Sequence, residues 1–215
     1  MNLYIMRHGE TDWNKQGKLQ GSVDIPLNDF GIELAEKTRD GFQREGITFD
    51  KVFSSPYIRA LKTAEIIIGD ANIPIDVQPD IREMGFGPHE GAYVRELRTK
   101  PAYARLSKCF DDPVHYEPEG DGESYEEVFA RIERFLTDQI LPLERQYENV
   151  LVVCHGGVLR AFISIIKNMP LRDFWTISQP NCSVNLAGVH EGRIEMVEEN
   201  RLYYEFKAEA GRGFV

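Results

Sequence analysis

What this chain lacks narrows its chemistry before any residue is singled out. Its three cysteines, Cys109, Cys154 and Cys182, are odd in number and form no CxxC pair. They are read as reduced, mostly buried thiols of a cytoplasmic protein, not as a disulfide framework. No HExxH or other tight ligand spacing occurs, so no metal is expected. Neither GxGxxG nor a Walker loop is present, and no cofactor is expected. No apolar run approaches the roughly 20 residues that span a bilayer. Arg7 and His8 also interrupt the N-terminal apolar stretch before a signal-peptide core could form. The formal net charge of -10 lacks the basic surplus of a nucleic-acid binder and argues against polybasic membrane attachment.

What remains has the composition of a folded domain: 215 residues, 42% hydrophobic and 28% charged, without repeats, low-complexity tracts or linkers. One domain over residues 1–215 is expected. The run from Asn2 to Met6 reads as a first strand, and "FDKVFSS" and "IPIDV" as two more. Asn28 and Gly46 bracket a helix with Ile32, Leu34, Ala35 and Phe42 on its apolar face. Ser55 and Pro56 are read as N-cap and first residue of a helix carrying Arg59 in its first turn. Ser124 and Glu127 form a capping box, and "NVLVVCHGGVLRAFISII" reads as strand, glycine turn and helix. A hairpin is expected across His190, Glu191 and Gly192. The alternation predicts a three-layer α/β/α fold with a mostly parallel sheet and an antiparallel edge near the C-terminus. Residues 80–123, rich in glycine and proline, are read as an irregular insertion over the site.

In open α/β sheets, ligands bind beyond the carboxyl ends of the strands. Arg7-His8-Gly9 follows the first strand, Arg59 the second, and His155-Gly156-Gly157 the strand ending at Cys154. If these strands are parallel neighbours, two arginines and two histidines converge beside helix N-termini with unpaired N–H groups. A multi-oxygen anion fits such a cluster, and phosphate fits best.

With those residues in view, the chain resembles the histidine phosphatase superfamily, the phosphoglycerate mutase-like enzymes. "MRHGETDWN", "SPYIR", "REMGFG" and "LVVCHGG" stand in the family's order, over residues 3 to 166. The resemblance implies that His8 is the nucleophile and forms a phosphohistidine, with adjacent arginines disfavouring its imidazolium form. It implies that Arg7, Arg59 and His155, with Gly156 beside it, hold the phosphate oxygens, and that Asn14 donates to the same oxygens. Gln20 and Gly21 match a phosphate- or substrate-contacting pair. Glu83 corresponds to the general acid, a task that needs a carboxyl able to carry a proton near neutrality; Glu90 in the same loop competes for it. Arginines supply the positive charge that magnesium supplies in kinases.

Taken singly, each of these residues has a plainer reading: Arg7 and Arg59 as solvated cations, His8 as a satisfied core histidine. Only their ordered combination favours catalysis. His89, His115 and His190 are read as exposed and structural, and "EPEGDGES" as a solvated loop. Family mutases resemble one another in a basic central segment with an Arg-Arg pair. This chain has no Arg-Arg dipeptide, and between Gly85 and Glu123 five basic residues face eight acidic ones. Hydrolysis of a small phosphorylated metabolite is therefore the leading expectation. Cofactor-dependent mutase-type phosphoryl transfer comes second and a non-catalytic phosphate-binding module third. Arg95, Arg98 or Lys100 could meet a second anionic substrate group. Exposed aromatics in the insertion would permit a homodimer.

Overall fold

The first strand, β1 (Asn2–Arg7), shows how the sheet is covered. Leu3 and Ile5 enter one hydrophobic core, while Tyr4 and Met6 enter another, as alternate side chains of a strand must. A strand apolar on both faces needs cover on both, the condition under which parallel sheets occur.

The computed structural model describes residues 1–204; the expected unit of 1–215 thus extends into residues outside the described ones. After β1 come β2 (Lys51–Ser54), β3 (Ile75–Val77), β4 (Asn149–Cys154), β5 (Val184–His190) and β6 (Arg193–Arg201). They form one sheet in the order β3-β2-β4-β1-β5-β6. The pairs β1–β4, β2–β4 and β2–β3 are parallel, and β1–β5 and β5–β6 antiparallel. The helices are α1 (Asp12–Gln16), α2 (Asp29–Arg44), α3 (Ile58–Ile68), α4 (Ala104–Asp111), α5 (Tyr125–Phe135) and α6 (Gly156–Lys167). Residues of α2 and α3 pack with Tyr4 and Met6, and those of α5 and α6 with Leu3 and Ile5. This is the expected three-layer α/β/α arrangement. Among the described residues no helix is long and apolar enough to cross a membrane.

Local signals explain most boundaries. Asn28 accepts from the Gly31 amide at 2.8 Å and starts α2. Ser124 and Glu127 cap each other at the start of α5. Left-handed backbone at Glu191 (φ 52°) and Gly192 (φ 72°) makes the two-residue turn between β5 and β6; His190 is the last residue of the strand, not part of the turn. The short α1 was not anticipated; Thr11 and Asn14 cap it reciprocally, and Gly17 ends it at φ 67°.

Four expectations are corrected. Helix α3 begins at Ile58 with Tyr57 as its N-cap, not at Ser55-Pro56. The Ser55 hydroxyl is engaged by His155, and the Ile58 amide donates to the Asp24 carboxylate instead. The aromatics of the insertion, expected to be exposed, turn inward: Phe86 and Tyr116 are buried and Tyr93 and Phe110 half-buried. His89 is half-buried and pairs with Glu119, and Glu123 of the supposedly solvated acidic run is bound by Arg82 and Arg131. Residues 80–123 consist mainly of short turns and α4.

Candidate functional site

The sheet register assembles the site. Arg7 is level with Cys154 across β1 and β4, and Ser54 with Val153 across β4 and β2. The next residues along the three strands, His8, His155 and Ser55, therefore leave the sheet side by side. The two imidazoles lie with ring centroids 5.1 Å apart.

Hydrogen bonds set their tautomers. His8 Nδ1 lies 2.6 Å from the Gly9 carbonyl; a carbonyl only accepts, so Nδ1 carries the proton. His8 Nε2 is left with a lone pair and no hydrogen-bond partner among the described residues. Arg59 Nε donates to His155 Nδ1 at 3.2 Å, so the His155 proton sits on Nε2 and is donated to Ser55 Oγ at 2.7 Å. Burial, then the positive charge of Arg59 and Arg7, holds His8 well below the ordinary imidazole pKa. Burial, then Arg59, does the same for His155. Both rings are neutral near pH 7.

The arginines differ in access. Arg7 lines the cleft and donates from Nη1 to the Gln179 carbonyl at 2.5 Å. Arg59 is fully buried, lies over the Tyr57 ring, and donates to the carbonyls of Gly21 (2.8 Å) and Val23 (2.9 Å). Burial lowers its pKa to about 10, so it stays charged at neutral pH. Gly21 thus serves Arg59 and not the cleft.

Glu83 occupies the N-terminus of α6. Its carboxylate accepts from the amides of Gly157 (3.0 Å), Val158 (3.2 Å) and Met84 (2.9 Å). The amides expected to be open to phosphate are therefore taken by Glu83. A Cβ at Gly157 would sit 2.7 Å from its Oε1, which explains a glycine there. Behind it, buried Arg131 donates to the carbonyls of Asp80 (2.6 Å) and Arg82 (2.7 Å) and pairs with Glu123, bracing the segment that carries Glu83. Glu90, the competitor, instead ties down the amides of Ser22, Val23 and Phe86.

A cleft of about 1480 Å³ is lined by Arg7, His8, Asn14, Gln20, Glu83 and Gly156 of the expected residues. Arg59, His155 and Gly21 do not line it. Gln20 accepts from Thr11 through Oε1 at 2.8 Å, while its buried Nε2 has no partner among the described residues. Asn14 accepts through Oδ1 from the Thr11 amide and from Asn181, leaving Nδ2 to donate. Sequence reasoning missed Asn181, whose Nδ2 donates to the carbonyls of His8 (3.0 Å) and Gly9 (3.1 Å), and Arg160, which lines the cleft from α6. A lone arginine in the apolar stretch "GGVLRAFISII" was a readable signal for Arg160. Among the described residues no group of His, Cys, Asp and Glu is arranged to hold a metal ion.

The neutral histidines carry a pH signature. Unfolded imidazoles take up protons near pH ~6.5, whereas His8 and His155 resist until well below it. Below that value the unfolded chain binds more protons, so stability falls on acidification, by up to about 1.4 kcal/mol per pH unit for each histidine. Urea-unfolding midpoints from pH 7.5 to 5 should show this slope, and His8→Ala should reduce it. An unchanged slope in the variant would contradict a neutral buried His8.

The family model for the histidine phosphatase superfamily (branch 1) matches residues 3–201. The adenosylcobalamin/alpha-ribazole phosphatase of Escherichia coli (strain K12) is 34% identical over 175 residues, 81% of this chain and 83% of that protein. The putative phosphoserine phosphatase 2 of Hydrogenobacter thermophilus is 30% identical over 200 residues, 93% of this chain and 95% of that protein. The crystal structure of the alpha-ribazole phosphatase from Shigella flexneri superposes with a TM-score of 0.81 at 29% identity, covering 94% of this chain and 96% of that one.

Proposed function

Since the chain belongs to the histidine phosphatase superfamily (branch 1) and is an enzyme of its phosphatase kind, we propose that it is a single-domain, metal-independent phosphomonoester hydrolase acting through phosphorylated His8. The observation that carries this is the neutral His8 ring, its Nε2 lone pair unpartnered in a cleft that also holds Arg7 and Glu83.

In the proposed reaction Nε2 of His8 attacks phosphorus and the bond to the leaving oxygen breaks. Glu83 gives its proton to that oxygen, and the alcohol departs. Water then attacks the phosphohistidine, Glu83 takes the water proton, and phosphate leaves with the His8 lone pair restored. Arg7, Gln20 Nε2 and Asn14 Nδ2 match the charge on the phosphoryl oxygens. Arg59 and His155, closed off from the cleft, act first through His8: burial, and after it the Arg59 charge, keeps the nucleophile unprotonated.

Three cations of the insertion are held by carboxylates, which favours hydrolysis over transfer between substrate positions. Arg98 is paired with Asp111, Lys100 with Glu96, and Arg105 with Glu117 and Glu119. A mutase must grip a second anionic group; these three are ion-paired at the surface, whereas Arg95 lines the cleft, lying over the Tyr93 ring, and is the insertion cation placed to meet such a group. The three cysteines are buried and free, which suits a reducing cytoplasm and a small phosphorylated metabolite of that compartment as substrate.

The test is rapid-quench trapping during hydrolysis of p-nitrophenyl phosphate with EDTA present. The expected phosphoenzyme is stable to alkali and labile to acid, as a phosphorus–nitrogen bond requires. Turnover without any such species would overturn the His8 route, and loss of turnover in EDTA would overturn metal independence.

A further inference from the structure

Beside the main cleft lies a second cavity of about 330 Å³. The two share Val94, Phe110, Arg160 and Trp175. Leu97 completes the apolar lining of the smaller one, which draws on the insertion on one side and on α6 and the turn after it on the other.

Its walls mix the rings of Phe110 and Trp175 with the hydroxyls of Ser107, Thr176 and Ser178, of which Ser107 donates to the Ala104 carbonyl and Thr176 to that of Asp173. The Trp175 indole N–H donates to the Cys109 carbonyl (2.7 Å) and to Tyr125 Oη (2.6 Å), so the polar edge of the indole is satisfied by protein groups. Phe110 packs on Trp175 with centroids 4.8 Å apart, and Phe86 stacks on Phe110 at 6.1 Å.

The charges at the cavity are closed off. Arg98 and Asp111 hold each other through bonds of 2.5 to 3.1 Å. Arg160 donates to the carbonyls of Ile177 and Gly156, both at 2.9 Å, and lays its guanidinium 4.8 Å from the Trp175 ring centre. Among the described residues, both cations that line the cavity, Arg98 and Arg160, are thus already engaged by protein groups. A flat apolar group suits the space, since binding cavities of this size are lined mainly by apolar and aromatic side chains.

Arg160 also sets how near this cavity is to the chemistry. The carbonyl it holds belongs to Gly156, the residue after His155 and itself part of the main cleft. A phosphate at His8 and a ring against Trp175 are thus separated by the first turn of α6.

We propose that this side cavity receives an aromatic or fused-ring portion of the alcohol from which phosphate is removed. The enzyme's substrates are then phosphomonoesters of ring-bearing alcohols, in preference to small phosphorylated acids. The inference rests on the phosphatase reading above, and its test keeps the two apart.

The first arm compares kcat/KM for 2-(2-naphthyl)ethyl phosphate and ethyl phosphate. Both leave as primary alkoxides, so the chemical step is matched and the ratio reports the ring. A preference of about tenfold or more for the naphthyl ester is expected, and Phe110→Ala should cut that ratio by roughly tenfold. The second arm needs no turnover and no cavity variant. In a Trp13→Phe background Trp175 is the remaining tryptophan of the chain. Its fluorescence should be quenched by 2-(2-naphthyl)ethylphosphonate, with a Kd about tenfold or more below that of ethylphosphonate. Equal hydrolysis of the two esters with equal phosphonate affinities overturns the cavity assignment and leaves the phosphatase reading intact. Tighter naphthyl binding with Trp175 quenching, but no hydrolysis of either ester, supports the cavity and overturns the phosphatase reading.

Discussion

With His8 replaced by alanine, phosphate release from every ester should fall at least about a thousandfold in kcat. Alanine offers no lone pair for phosphorus, and water would have to attack directly in a site arranged for a ring nitrogen. The loss is not one of charge, because the ring it removes is neutral. Substrate binding should therefore change far less than turnover. Arg7 keeps its tie to the Gln179 carbonyl, and Gln20 keeps its buried amide. The variant leaves space on the cleft wall that free imidazole can enter, and millimolar imidazole should restore part of the phosphate release. Steady-state assays with EDTA, set beside phosphate affinity from calorimetry, check this. Turnover within about tenfold of wild type would remove His8 from the mechanism, since that is far below what a lost nucleophile costs.

Glu83→Gln carries the second large effect, and it should depend on the leaving group. An alkoxide must be protonated as it departs, so hydrolysis of an alkyl phosphate should slow by about 10² to 10⁴. The p-nitrophenolate ion departs without that proton, so phosphorylation of His8 should continue while the second step, which needs Glu83 to take a proton from water, stalls. A stopped-flow burst of one p-nitrophenol per enzyme, followed by slow turnover, is the expected trace. Part of the loss is structural. Glutamine has one acceptor oxygen where three amides now converge on two, and a buried amide left unpaired costs about 1–3 kcal/mol. Urea unfolding separates that cost from the kinetic one. Equal rate losses for alkyl and aryl esters, without a burst, would count against Glu83 as the acid.

The parts of this architecture that could be read in advance are those decided over a few residues. The alternation of Leu3, Tyr4, Ile5 and Met6 announces a strand covered on both faces, and Asn28 and Ser124 mark helix starts because their caps close three residues on. His8 and Glu83 reach the cleft as expected because each follows its motif. What escaped depends on partners far along the chain. Ser55 looks like a cap beside Pro56, yet its hydroxyl is engaged by His155, 100 residues away. Arg59 looks open to phosphate, but the carbonyls of Gly21 and Val23 close over it. Asn181 acquires its place against His8 only because β5 pairs antiparallel with β1, which brings the residues before Val184 to the end of the first strand. The amides at the start of α6 were expected to await an anion; that Glu83 already accepts from two of them follows from the path of the insertion and from no local pattern.

The strand order has a consequence for how the molecule comes into being. β4 lies between β1 and β2, although β1 and β2 are made long before it. Met6 and Ser54 become neighbours of Val153 only after roughly a hundred residues beyond Ser54 have been made. Until then β1 and β2 are two apolar strand edges with a gap between them, and no emerging chain can assemble His8, Ser55 and His155. Contacts spanning some 147 residues, such as Asn2 with Asn149, place the molecule among slow folders whose unpaired edges invite association. Those edges stay unpaired until β4 is made, and His8, Ser55 and His155 come side by side only when β4 pairs with both β1 and β2.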